Sequence, residues 1–252
     1  MYFDTHAHLD DEAFDPDRED LIAGFASAGV ELVLNPGCDP ASSERAALLA
    51  ARHPEVWFAV GIHPEELASY TDESLEKTLS LTAEPKCAAI GEIGLDYYWD
   101  DSQKERQQEL FHRQLSFARE KDLPVIVHDR DAHGDCLAIV RQYPGLRGVF
   151  HCYSGSAEIA RELLRLGWYL GFDGPITYKN ARKLPEVLAV CPPERILLET
   201  DSPYLSPVPL RGRRNDPRNL CCICAKAAEF KGMDPDELAA RTLENGKTLF
   251  GI

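Results

Sequence analysis

Short apolar runs recur along the chain, separated by stretches in which apolar residues return every three or four positions. Phe3 leads into the first run. Val30–Asn35, Val56–Gly61, Ala88–Glu92, Pro124–His128, Gly148–His151, Tyr169–Phe172 and Arg195–Asp201 bring the number to eight. Continuous apolar runs of this length read as strands covered on both faces. The stretches between them read as amphipathic helices. Residues 103–121 place Phe111, Leu115 and Ala118 on one face, and 156–166 opens on Ser156 before a stripe of Ile159, Ala160, Leu163 and Leu164. Eight strand–helix repeats predict a parallel sheet closed into a (β/α)8 TIM barrel, with 217–250 as closing helices and residues 1–252 as one domain. An open doubly wound sheet competes, but no Gly-rich phosphate fingerprint follows the first strand.

Composition narrows the class. A hydrophobic fraction of 44% over 252 residues is enough for one large core. No run approaches the roughly 18 apolar residues of a membrane helix, and the N-terminus lacks a basic segment leading into an apolar one. The expectation is a cytoplasmic protein with no membrane partner. No partner-binding surface announces itself, so a monomer is expected. Cys38, Cys87, Cys136, Cys152 and Cys191 are scattered singly, as reduced core thiols would be. Cys221, Cys222 and Cys224 cluster, but a zinc ribbon needs a second pair at a distance, so a helix start explains them better.

Charge limits the partners. At −15 the chain has no basic face for gripping duplex DNA through many phosphates, apart from Arg211, Arg213 and Arg214. A phosphate substrate would have to be held by metal charge and a few local arginines.

The chemistry gathers at one end of the predicted strands. His6 and His8 end the first, and alternation on an extended strand points them the same way. His63 ends the third, Glu92 the fourth, His128 the fifth, His151 the sixth and Asp201 the eighth. The carboxyl rim is where barrel enzymes build their sites, and apolar strands that finish on imidazoles need partners for them. Imidazole suits zinc, manganese, iron or nickel, and a carboxylate can bridge two ions. Two ions about 3.5–4 Å apart can hold a hydroxide and clamp the entering and leaving oxygens of a phosphodiester, ester or amide.

Four segments carry a family resemblance: Thr5-His6-Ala7-His8-Leu9-Asp10, Gly91-Glu92-Ile93-Gly94-Leu95-Asp96, His151-Cys152-Tyr153-Ser154-Gly155 and Glu199-Thr200-Asp201-Ser202-Pro203-Tyr204-Leu205. Together with Arg211-Gly212-Arg213-Arg214-Asn215-Asp216-Pro217, the chain resembles the TatD-type metal-dependent deoxyribonucleases of the amidohydrolase superfamily. The resemblance runs in order from Phe3 to Phe250. It implies a (β/α)8 barrel and hydrolysis of DNA phosphodiesters, from 3′ ends of single strands or short oligonucleotides, with RNA a second substrate. It also implies two divalent ions (Mg, Mn or Zn), one on His6, His8 and Asp201, the other on His128 and His151, with Glu92 bridging. His63 would lie by the scissile phosphate.

Each residue then has a physical role. Asp201 can orient the attacking water and take its proton, and His63 can donate to a phosphoryl oxygen or the leaving group, or simply be fixed in a turn by Pro64. Arg130 is placed to meet a phosphate or to pair with Asp129 or Asp131, and Arg211 to meet a phosphate or sit solvated in a loop. Tyr153 can stack on a base or fill space under a loop. His133 is expected in solvent, and His53 and His112 on surfaces. The rival reading is an amidohydrolase of an ester or amide, such as an aminoacyl linkage, since the same ligands serve attack on a carbonyl. A metal-buffering barrel without catalysis is a third.

Overall fold

The computed structural model describes residues 1–99 and 101–252. Eight parallel strands pair in sequence order: β1 (Tyr2–Asp4), β2 (Val30–Pro36), β3 (Val56–Val60), β4 (Cys87–Asp96), β5 (Val125–Arg130), β6 (Gly148–Phe150), β7 (Tyr169–Phe172) and β8 (Ile196–Leu198). Residues just past β1 and β8 close the ring. Thr5 N donates to Leu198 O, Asp201 N to His6 O, and His8 N to Ser202 O, and Ala7 bridges Ser202. The expected (β/α)8 barrel is therefore the observed one. Helices run between the strands, among them α1 (Arg18–Ala23), α2 (Pro40–Arg52), α3 (Asp72–Ser80), α4 (Lys104–Lys121), α5 (His133–Val140), α6 (Ala157–Arg165) and α7 (Leu184–Val190). After β8 come α8 (Leu220–Lys231) and α9 (Pro235–Phe250), the expected closing helices. Ser156 caps α6 by accepting from Ile159 N.

The period of two along each strand sorts the core into two sets. Val33, Phe58, Val60, Ile90, Val127 and Phe150 belong to the larger set, packed against the helices. Leu34, Ala59, Ala89, Ile126, Val149 and Leu197 form the smaller one with Phe3, Leu249 and Phe250. Phe3 and Phe250 meet edge to face at 6.0 Å, so α9 seats against the start of the first strand. Alternation carries the smaller set directly to the site: two residues beyond Ile126 is His128, two beyond Val149 is His151, and two and four beyond Leu197 are Glu199 and Asp201.

Several strands depart from the expected limits: β3, β6 and β8 stop at Val60, Phe150 and Leu198, so His63, His151 and Asp201 lie just beyond them, and β5 runs on to Arg130. The first ends at Asp4, so His6 and His8 lie beyond it, in the segment that closes the ring. The fourth continues past Glu92 to Asp96. Glu92 is out of phase with Ala89, and the register of β4 on β5 shifts between Ile90 and Ile93. A shift of one residue moves a side chain to the other face, which brings Glu92 to the barrel interior. Gly94, at φ +145°, makes this path possible: a Cβ there would lie 2.0 Å from the carbonyl oxygen of His128. All eight cysteines are free thiols, with Cys221, Cys222 and Cys224 on the first turns of α8. No helix among the described residues is long and apolar enough to cross a membrane.

Candidate metal centre

The carboxylate of Glu92, 3% exposed, is the hub of the site. Its Oε2 lies 3.2 Å from His6 Nε2 and 3.8 Å from His8 Nε2. Oε1 lies 2.6 Å from His151 Nε2, 2.8 Å from His128 Nδ1 and 3.4 Å from His63 Nε2. Asp201 Oδ1 faces the first group, 3.4 Å from His8 Nε2 and 3.7 Å from His6 Nε2. One carboxylate thus looks both ways, toward His6, His8 and Asp201 with one oxygen and toward His128, His151 and His63 with the other. The structure brings together all seven residues expected at the rim.

The electrostatics follow from crowding. Burial works against the Glu92 anion, but the imidazoles of His151, His6 and His63 outweigh it and hold the carboxyl well below its ordinary range. Asp201 is also lowered: burial opposes, and His8, His6 and His151 prevail. His151 and His8 are driven well above the ordinary imidazole value despite burial, His151 by Glu92 and Glu199, His8 by Cys38 and Asp201. His6 goes the other way, lowered by burial and by the neighbouring His151. Such a cluster demands positive charge that the chain itself supplies only by protonating imidazoles.

These residues fit a divalent cation. His6 Nε2 and His8 Nε2 approach to 3.2 Å, and His128 Nδ1 and His151 Nε2 to 3.3 Å. Imidazole nitrogens converging this closely beside carboxylate oxygens make a mixed N/O donor set for a first-row or hard divalent ion. Three overlapping triads have ligand atoms all within 4.8 Å of one another: His6, His8, Glu92; His63, Glu92, His128; and His6, His151, Glu199. His63 thus stands close enough to be counted with the donors, although its tautomer argues for another role. Its Nδ1 accepts from Glu65 N at 3.2 Å, so in the neutral ring Nε2 carries the proton.

Buried groups fix the orientation of the site residues. Asp96 Oδ2 holds His128 Nε2 at 2.9 Å. Glu199, fully buried, accepts from Cys152 N at 2.5 Å and lies 3.6 Å from His151 Nδ1. Asp4 accepts from Thr200 N, Thr200 Oγ1 and His6 N, which ties the segment after β1 to the segment after β8. Partners of this kind set which nitrogen faces a metal. Cys38 Sγ lies 3.9 Å from both His8 Nδ1 and Glu92 Oε2, and burial pushes its thiol up to about 11. Asp96, Glu199 and Thr200 stand within the segments that carry the family resemblance but had no role assigned from sequence, and Asp4 and Cys38 lie outside those segments. For Asp4 and Glu199 a signal was present, since each stands two positions before a rim residue on an apolar strand.

Around the hub opens a cleft of about 750 Å³. Arg130 lines it and forms no ion pair among the described residues, with Asp129 and Asp131 included. Trp99, Tyr204, Arg45 and Cys152 also reach it. Tyr153 corrects an expectation. It is 4% exposed, packs in the helix-side core and donates its hydroxyl to Ser156 O, so it fills space under the loop and offers no face to a base. Arg211 stands apart from the cleft walls, with its guanidinium 4.2 Å over the Tyr178 ring. His133 is not solvated but lies 2.8 Å from the buried Asp129 carboxylate. His112 is half-buried with Nδ1 2.9 Å from Tyr143 Oη, and His53, also half-buried, is 3.3 Å from Glu19.

Comparison with known proteins gives a consistent answer. The family model described as TatD related DNase matches residues 3–251. The chain is 42% identical over 254 residues to YabD of Bacillus subtilis, named a metal-dependent hydrolase, with all of both chains covered. It is 37% identical over 259 residues to a protein of Citrobacter koseri named 3′-5′ ssDNA/RNA exonuclease TatD, covering 99% of each. Among solved structures, YjjV of Escherichia coli K12, a TatD homolog, superposes with a TM-score of 0.94 at 35% identity, over 100% of this chain and 98% of that one. The rim of imidazoles and carboxylates therefore belongs to a metal-dependent hydrolase, and the chain is a member of the TatD-related deoxyribonuclease family.

Proposed function

We propose that the protein hydrolyses phosphodiester bonds at the 3′ ends of single-stranded DNA, with RNA as a second substrate, using two divalent ions. The observation that carries this reading is Glu92, whose two oxygens face two separate groups of donors. His6, His8 and Asp201 would hold one ion and His128 and His151 the other, with Glu92 between them. Ions held there supply positive charge that polarises a phosphoryl oxygen and acidifies water.

The chain's own groups do the rest. Asp201, kept ionised by the surrounding imidazoles, aligns the attacking water and accepts its proton. His63 is held neutral by burial and by the charge on His128. Its Nε2–H faces the hub and would donate a hydrogen bond to a phosphoryl oxygen or to the departing sugar oxygen while the ring keeps its proton. Arg130 meets a neighbouring phosphate. A relative named as a single-strand exonuclease supports the substrate class.

Chelation followed by addition of Mg²⁺, Mn²⁺ or Zn²⁺ tests the reading, with 3′-labelled single-stranded DNA, RNA and an aminoacyl ester assayed in parallel. Loss and recovery of stepwise 3′ shortening is the expected result. Activity indifferent to chelation, or confined to the aminoacyl ester, would refute it.

A further inference from the structure

Three large aromatic side chains stand exposed at or beside the cleft: Trp99 at 66%, Tyr98 at 55% and Tyr204 at 54%. Trp99 and Tyr204 both line it, and they come from opposite sides of the ring, one after β4 and the other after β8. Single exposed apolar residues are ordinary, but aromatics exposed side by side at a cleft mark an interaction surface. Trp99 is also supported from behind. Its ring meets Tyr98 edge to face at 4.8 Å, and the Arg130 guanidinium lies 3.9 Å over Tyr98 and 5.3 Å from Trp99. Tyr204 is pinned by its hydroxyl, which donates to Asp11 at 2.9 Å, and packs edge to face on His8 at 6.2 Å.

Charge makes this arrangement informative. Away from the hub the cleft walls carry six carboxylates, Asp10, Asp11, Asp39, Glu65, Glu66 and Asp129, against two arginines, Arg130 and the Asp10-paired Arg45, in a chain of net charge −15. A polyanion gains little from such walls, so its binding must draw on the metal centre and on something uncharged. Stacking on an aromatic ring is available to every nucleobase and independent of the sign of the walls. Duplex bases are already stacked and offer no free face, whereas a single-stranded end does.

We infer that Trp99, braced by Tyr98 and Arg130, is the platform on which a nucleobase of a single-stranded nucleic acid stacks, while Arg130 holds the adjoining phosphate. The inference rests on the nuclease reading and adds the residues that select a single strand. Trp99 is the specificity-determining residue, and it takes no part in the bond-breaking step.

Binding of a 5′-labelled oligothymidylate to the full-length, metal-loaded protein, followed by fluorescence anisotropy in the Asp201→Asn background, separates platform from chemistry. Trp99→Ala should weaken binding about 5- to 150-fold, Trp99→Phe should keep most of the affinity, and an abasic oligomer of equal length should bind both proteins equally weakly. In the catalytically intact protein, Trp99→Ala should raise KM with kcat nearly unchanged. Equal affinity of Trp99→Ala and its parent for oligothymidylate would overturn the inference, as would an equal loss on the abasic oligomer. Should Trp99→Ala fold poorly, the thymine-over-abasic preference of the parent and its retention in Trp99→Phe decide instead. Trp99-dependent binding without cleavage would keep the platform and sink the nuclease reading, whereas cleavage with Trp99-independent binding would do the reverse.

Discussion

Glu92 concentrates more consequence than any other residue, because two sets of imidazoles lean on one carboxylate. Glu92→Ala should lose at least one ion per chain by elemental analysis, and turnover should fall with it. Asp201→Asn should keep the fold and lower turnover by about 10²–10⁴-fold, the usual weight of a proton acceptor, as read by initial rates against an unchanged thermal transition. Glu199→Gln should weaken metal affinity about 10- to 100-fold, the customary cost of disturbing the group that orients a ligand, as measured by competition with a chelator. His133 gives a pH test outside the donor cluster, through its pairing with Asp129. Its contact with Asp129 raises its folded pKa above the unfolded value, so the stabilisation is complete below the unfolded value and lost as pH rises through the folded one. Denaturation midpoints of the wild type and His133→Gln should therefore differ more at pH 6 than at pH 9. That contact was invisible in the sequence because a polar context five residues past His128 gives no hint of a buried carboxylate. The rim residues were legible for the opposite reason, since an apolar strand that ends on histidine needs a partner for it.

At the scale of elements, the sheet does the positioning by counting in twos. Ile126 to His128, Val149 to His151 and Leu197 to Asp201 were readable because strands keep phase. Glu92 was readable from its strand only as a rim residue, and as a bridge only through the family resemblance, since the register shift that turns it inward depends on how β4 lies on β5. Tyr153 was left open between stacking on a base and filling space for a related reason: the sequence puts it after β6 but does not say that the loop folds over it. Close packing between neighbouring strands adds a further constraint. A Cβ at Gly171 on β7 would fall 2.4 Å from the Glu199 carboxylate on the adjoining segment. Gly171→Ala should destabilise the barrel by about 1–3 kcal/mol in chemical denaturation, and should weaken metal binding as well, because Glu199 must move.

Over the whole molecule, the number of barrel repeats and the acidic balance were both plain in the sequence, but which aromatics stay uncovered was not. Trp57, Trp99 and Trp168 look alike as letters. Trp168 is 1% exposed and Trp99 66%, a difference made by the packing of loops and helices around them. The acidic balance has its own signature in binding. A protein that neutralises only one or two phosphates of a single strand should lose about 3- to 7-fold in affinity between 50 and 200 mM salt, far less than one making six to ten contacts. A salt titration of oligothymidylate binding reads this slope, and a loss of a thousandfold would contradict so sparse a set of cationic contacts.

The ring is closed where Asp201 N meets His6 O and Asp4 receives Thr200, a separation of 196 residues in the chain. In the folded chain His6, His8 and Asp4 meet Asp201 and Thr200, which follow β8. Contacts of such high sequence separation carry a loop-closure cost, which favours their forming late in folding. A chain cut before β8 should therefore leave His6 and His8 without Asp201 and the ring without its seam.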